Sequence, residues 1–140
     1  MSRENVELTR RWFEAFNARD IEGMIALFDP SIEFRSAFAV VGGAVYRGHD
    51  GLRQWHRDTE ESWREIRLDV EAYFDLYEHV LAFYVYNARG RQSGAEVAMP
   101  AASVTSWRDD LMTYAKVYVE RGDALRDLGV AEDELDPIAP

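Results

Sequence analysis

The chain has 140 residues, 47% hydrophobic and 13% aromatic, which suits one folded domain with a substantial core and argues against disorder. Its formal net charge of -10, with no clustered Lys/Arg run, repels polyphosphates and excludes nucleic acid as an expected partner. There is no cysteine, which excludes disulfides, a thiolate nucleophile and cysteine metal ligation; MSRENVELTRRW lacks the apolar run of a signal peptide, and no stretch is long enough to span a bilayer, so a soluble cytoplasmic protein is expected.

Leu8, Trp12 and Phe16, with Thr9 and Phe13 beside them, recur at helical spacing behind Ser2 as an N-cap, predicting a first helix that ends near Asn17. Asp20 caps a short second helix in which Ile21, Met24, Ile25 and Phe28 share a face, and Asp29-Pro30 stops it. SIEF then reads as a strand, and SAFAVVGGAVYRGHDG as a connection without helical period. A third amphipathic helix follows, with Leu52, Trp55, His56, Thr59 and Trp63 on one face.

From Ile66 the period changes to two: Ile66, Leu68, Val70, Ala72 and Phe74 alternate with polar residues. Three more strand-like runs, HVLAFYVYNA, AEVAMPAASVTSW and LMTYAKVYV, are separated by turn signals and are expected to pair consecutively and antiparallel. A helix around Asp123 to Leu128 closes a domain spanning residues 1–128, and the acidic tail, residues 129–140, is expected to fray. The order gives a segregated α+β domain: three N-terminal helices packed on a curved, mostly antiparallel sheet that can enclose a pocket.

Three segments, RRWFEAFNARDIEGMIALFDPSIEF, YRGHDGLRQW and SWRDDLMTYAKVYVERGDAL, resemble the SnoaL-like branch of the NTF2-like superfamily of cone-shaped α+β domains. The resemblance spans nearly the whole chain. It implies a pocket inside the cone, lined by one face of the first helix, one face of the third and alternating sheet residues, and a homodimer formed through the outer face of the sheet. That superfamily hosts isomerases, epoxide hydrolases, polyketide cyclases, dehydratases and noncatalytic binding proteins, so function has to be argued from the site.

Strand parity applied to that pocket selects Ile32 and Phe34; Val80, Ala82, Tyr84 and Tyr86; Met99, Ala101, Ser103 and Thr105; and Ala115 and Val117. The first and third helices add Trp12, Phe16, Trp55 and His56. A one-residue slip would exchange Tyr84 and Tyr86 for Phe83 and Val85. Ketosteroid isomerases of this fold use a helix-one tyrosine, a protonated acid and a strand carboxylate, where this chain has Trp12, Ser103 and Phe34. The Asp-Arg-Asp set of the epoxide hydrolases has no inward counterpart, and PAASVTSW, where SnoaL-type cyclases carry an acid, has none.

His56 is the one candidate general acid/base, since an unperturbed imidazole titrates near pH 6.5 and it shares the apolar face with Trp55. The alternative is a core histidine satisfied by one hydrogen bond. His49, after Gly48, reads as structure at the start of the third helix, and His79, at a hairpin start, as exposed. Seven helical residues separate His49 from His56 by about 10 Å, too far for joint ligation at about 2 Å each, so no metal is expected, and no cofactor. The reading is a binder of a small, largely apolar molecule, with Tyr84 and Tyr86 as hydrogen-bond donors; the alternative is a cofactor-independent isomerase, polyketide cyclase or dehydratase using His56 as acid/base.

Overall fold

The computed structural model describes residues 2–140. Helix α1, Ser2–Asn17, buries Thr9, Trp12, Phe13 and Phe16 as its spacing predicts, while the cap expected from Ser2 rests on a side chain outside the described residues. The Asp20 carboxylate accepts the Gly23 N–H at 2.9 Å and so caps α2, Ile21–Ala26. This helix ends earlier than its apolar face suggests, because Phe28 belongs to β1, Phe28–Ser36. Phe28 pairs with Met112, whose N–H donates to the Leu27 carbonyl at 2.7 Å, and this long-range pairing replaces a further helical turn. Pro30 is tolerated because it falls in the register break between Phe28 and Glu33.

Strand β2, Ala44–Arg47, lies within the connection expected to be irregular; four residues are too few to display an alternation. It pairs antiparallel with β1 and leads into α3, Gly48–Ser62. Gly51 sits where an added Cβ would lie 3.0 Å from the Tyr46 carbonyl carbon, so glycine lets α3 press directly on β2.

Strands β3 (Trp63–Leu76), β4 (His79–Gly90), β5 (Glu96–Arg108) and β6 (Leu111–Tyr118) form the expected antiparallel meander. Asp109 and Asp110, with φ of 53° and 65°, turn the last hairpin. β1 joins β6 in parallel, giving a six-stranded mixed sheet in the order β2-β1-β6-β5-β4-β3. A register shift between Val70 and Ala72 breaks the single alternation read from Ile66 to Phe74: Tyr73 turns toward the helices and Phe74 away from them.

The sheet therefore carries two cores. The larger lies between α1, α3 and the inner sheet face; the smaller gathers Phe74, Leu81, Phe83, Val104 and Tyr118 on the outer face. Helix α4, Arg121–Leu128, covers this second core through Ala124, and Leu135 of the tail packs on it. Over those residues the chain itself occupies the outer face to which the resemblance points for pairing with a second copy. The tail does not fray: Ile138 and Tyr73 exchange backbone hydrogen bonds of 2.9 and 2.7 Å, which satisfies part of the otherwise open edge of β3. No helix among the described residues is long and apolar enough to cross a membrane.

Candidate functional site

Helical and strand periodicity converge on the inside of the cone. Phe16 from α1, Phe34 from β1, Trp55 from α3 and Tyr84 and Tyr86 from β4 surround a cavity of about 30 Å³, with Leu68 and Val117 completing its apolar wall. That volume admits a water, not an organic molecule, as the protein stands. The inward parity of β4 is the expected one: Tyr84 and Tyr86 lie in the inner core, and Leu81 and Phe83 in the outer. Arg121, at the start of α4, ties β5 to β4 from the outer side of the sheet. Its Nε donates to the Ala101 carbonyl at 3.1 Å, and its Nη2 to the Tyr84 carbonyl at 2.9 Å and to Glu71 Oε1 at 2.6 Å.

The cavity's polar groups are few and neutral. Burial pushes the Tyr84 and Tyr86 phenols well above the ordinary phenol range, and for Tyr84 the neighbouring Tyr86 adds to this while Arg121 opposes it. Both phenols stay protonated through the neutral range, so they can donate a hydrogen bond and cannot serve as bases there. Thr59 on α3 lines the same cavity, and its buried Oγ1 has no hydrogen-bond partner among the described residues. Among the described residues, no carboxylate, imidazole or cationic side chain lines the cavity.

The other sequence candidates take different places. Trp12 is buried beneath the cavity, its ring centroid 5.7 Å from that of Phe16, 6.2 Å from Phe34 and 6.1 Å from Trp55, with Nε1 unpartnered. Ala101, Ser103 and Ala115 are buried without lining the cavity, and the Ser103 hydroxyl is also unpartnered. Met99 is half-buried against the core. Thr105 belongs to a structural network: its Oγ1 accepts the Trp107 Nε1–H at 3.0 Å and lies 3.4 Å from Thr9 Oγ1.

His56 does not join the cone. One residue beyond Trp55, it is rotated about 100° around α3 and lines a separate crevice of about 10 Å³ with Arg19, Met24, Glu60 and Ile66. Phe16, Trp55 and Thr59 border both spaces and stand between them, so His56 and the two phenols do not form one constellation. His49 does serve the start of α3, its Nε2–H donating to the Phe28 carbonyl at 2.8 Å. His79 is half-buried, with Nδ1 at 2.7 Å from Ser106 Oγ across the β4–β5 pair, and not exposed as its hairpin position suggested.

Sequence reasoning did not select Ser36, Phe38, Ala39, Thr59 or Leu68 as lining residues. Thr59 and Leu68 lie on faces that the periodicity already turned inward and could have been taken from it; Phe38 and Ala39 sit in an aperiodic loop that offers no such signal. A much larger concavity, about 580 Å³, is an open groove outside the cone. Its arginines are engaged with acids, Arg19 with Glu60, Arg67 with Asp69, and Arg89 with both Glu65 and Glu96, so no arginine lining it among the described residues is left unpaired to attract an anion.

Comparison with known proteins agrees with this architecture. Among solved structures, an NTF2-like protein of unknown function from Burkholderia pseudomallei is 18% identical, with 87% of this chain and 95% of that one covered and a TM-score of 0.76. TerC, co-crystallised with polyporic acid, is 20% identical, with 89% and 96% covered and a TM-score of 0.74. A candidate polyketide cyclase from Xanthomonas campestris pv. campestris is 19% identical, with 90% and 98% covered and a TM-score of 0.73. No curated protein matches the sequence significantly. At these identities the structural likeness speaks for the fold alone; the SnoaL-like domain family, however, matches the sequence itself over residues 9–115, and the chain belongs to that family.

Proposed function

We propose that this protein binds a small, largely apolar and uncharged organic molecule inside its cone. The observation that carries the reading is the buried Thr59 hydroxyl, left without a partner among the described residues where α3 borders a cavity whose other polar side chains are Ser36, Tyr84 and Tyr86. Such a hydroxyl costs about 1–3 kcal/mol unless something bonds to it, and the phenols offer further donors around the same space. An ionised ligand would meet no counter-charge there and would carry its full desolvation penalty. That TerC, of the same fold, was co-crystallised with polyporic acid supports looking for an organic ligand here.

The alternative of a cofactor-independent isomerase, cyclase or dehydratase has no supporting geometry. Its acid/base would be His56, which lies behind Phe16, Trp55 and Thr59 in another crevice, and no other titrating base lines the cavity. Crystals grown with 6-bromo-2-naphthol test the reading: the bromine's anomalous signal is expected inside the cone, with the naphthol oxygen within hydrogen-bond reach of Thr59, Tyr84 or Tyr86. Bromine only in the surface groove beside Arg19 and Arg89, or at no site at all, would overturn it.

A further inference from the structure

Phe38 occupies an unusual position. It lies in the loop 37–43 between β1 and β2, its ring reaches into the cavity, and its centroid is 4.0 Å from that of Tyr86 at an interplanar angle of 24°. The next closest aromatic pair among the described residues is at 5.0 Å. Tyr86 is 5% exposed on a central strand, whereas Phe38 is only half-buried, so the stack joins a fixed ring to a less enclosed one. We infer that the inner face of Tyr86 is a subsite for a flat, uncharged aromatic ring, and that Phe38 holds this subsite until the ligand's ring replaces it.

The loop's attachments suit such an exchange. The Trp63 indole N–H donates to the Phe38 carbonyl at 3.0 Å, the Ser62 hydroxyl to the Ala39 carbonyl at 2.8 Å, and the Ala39 N–H to Ser36 Oγ at 3.4 Å. All three bonds hold backbone atoms and none holds the ring. The Phe38 ring can swing out about its own side-chain torsions while the loop stays tied down. Beyond it, Gly42 and Gly43 have φ of 85° and 79°, a Cβ at Gly42 would touch nothing, and Val41 is fully exposed, so the outer half of the loop has room to yield.

Withdrawal of Phe38 adds the space of one aromatic ring to the existing cavity of about 30 Å³. It also explains how a cone with room for a water can accept an organic ligand. A ring stacked on Tyr86 would extend toward Thr59 and Tyr84, so the ligand class is an aromatic carrying a hydroxyl or carbonyl oxygen and no charge. The apparent affinity is then reduced by the fraction of time that Phe38 fills the subsite.

This inference rests on the cone as the binding site, and the test separates the two. Wild type, Phe38→Ala and Tyr86→Leu are titrated with 2-naphthol and with its saturated, non-planar counterpart decahydro-2-naphthol, by calorimetry, with near-UV circular dichroism confirming native packing. The expected result is about tenfold or tighter binding of 2-naphthol by Phe38→Ala, and loss of the preference for the flat ring in Tyr86→Leu. Equal 2-naphthol affinities in wild type and Phe38→Ala overturn the inference while leaving the cone reading in place. Absence of binding by all three folded proteins overturns the cone reading itself and this inference with it. If Phe38→Ala does not fold, Phe38→Val, still apolar but smaller than the ring and unable to stack, takes its place: tighter 2-naphthol binding than in wild type supports the displacement, and equal affinity overturns it.

Discussion

Thr59 shows how one buried atom can separate a structural role from a binding role. In α1 the equivalent conflict is resolved locally, since Thr9 Oγ1 donates to the Asn5 carbonyl at 2.8 Å, one turn back. Thr59 makes no such bond. Replacing it with valine, nearly the same shape without the hydroxyl, is expected to raise unfolding free energy by about 1 kcal/mol in urea titrations, because an unsatisfied buried group is removed. The same change is expected to weaken 2-naphthol binding about three- to tenfold, the worth of one neutral hydrogen bond. His56 gives the contrasting case: with Phe16, Trp55 and Thr59 between it and the cavity, His56→Phe is expected to leave 2-naphthol affinity within about twofold of wild type in the same titration. A loss beyond tenfold would return His56 to the site.

The elements hold together through contacts that their own sequences do not advertise. Gly51→Ala would gain about 1 kcal/mol of helix propensity if α3 stood alone. Against β2, however, the new Cβ would meet the Tyr46 backbone at 3.0 Å, and backbone cannot step aside as a flexible side chain can. A net loss of about 1–2 kcal/mol is expected, read from the urea midpoint. Helix α4 offers a pH test. The Tyr118 hydroxyl donates to Asp127 Oδ2 at 2.7 Å and Lys116 Nζ lies 3.3 Å from the same oxygen; the Tyr118 bond first, then Lys116, hold the Asp127 carboxyl below the usual aspartate range. Because the folded-state pKa is the lower one, this contribution is present above the unfolded value of 3.8 and is lost as pH falls through the folded value. Asp127→Asn is expected to flatten the acid limb of a stability-against-pH profile and leave the profile unchanged from neutrality up to the onset of tyrosine ionisation, which Asp127 opposes at Tyr118.

Across the whole molecule the tail joins regions far apart in the chain. Ile138 bridges to Tyr73 on the edge strand β3, and the Ala139 carbonyl accepts from Arg10 Nη2 at 2.9 Å, so the C-terminus ties the sheet edge to α1. Removing residues 136–140 exposes the edge after the Val70–Ala72 bulge. Faster hydrogen exchange at the Tyr73 amide is expected, together with a loss of about 1–2 kcal/mol for two backbone hydrogen bonds and part of the Ile138 burial. Exchange at Tyr73 equal to that of the full chain would show that the tail contributes nothing to the edge.

Apart from β2, the order of helices and strands was legible in the sequence, as were the meander, the α+β class and the inward placement of Phe16, Phe34, Trp55, Tyr84, Tyr86 and Val117, because period 3.6 and period 2 each write one buried face into a run of residues. Tertiary structure alone decided what periodicity cannot carry. The Val70–Ala72 bulge reversed the faces of Tyr73 and Phe74, since a one-residue shift in pairing belongs to two strands at once. Pairing with β6 drew Phe28 out of a helical turn, and α4 with the tail covered an outer face whose only sequence mark was apolar alternation. His56 and Trp55 are neighbours on one amphipathic stripe, yet only Trp55 reaches the cone, and His56 opens on a separate crevice beside Arg19 and Glu60. Phe38, in a loop with no period to read, stacks on Tyr86 in the cavity wall, because where a loop side chain goes is settled by the surface it lands on.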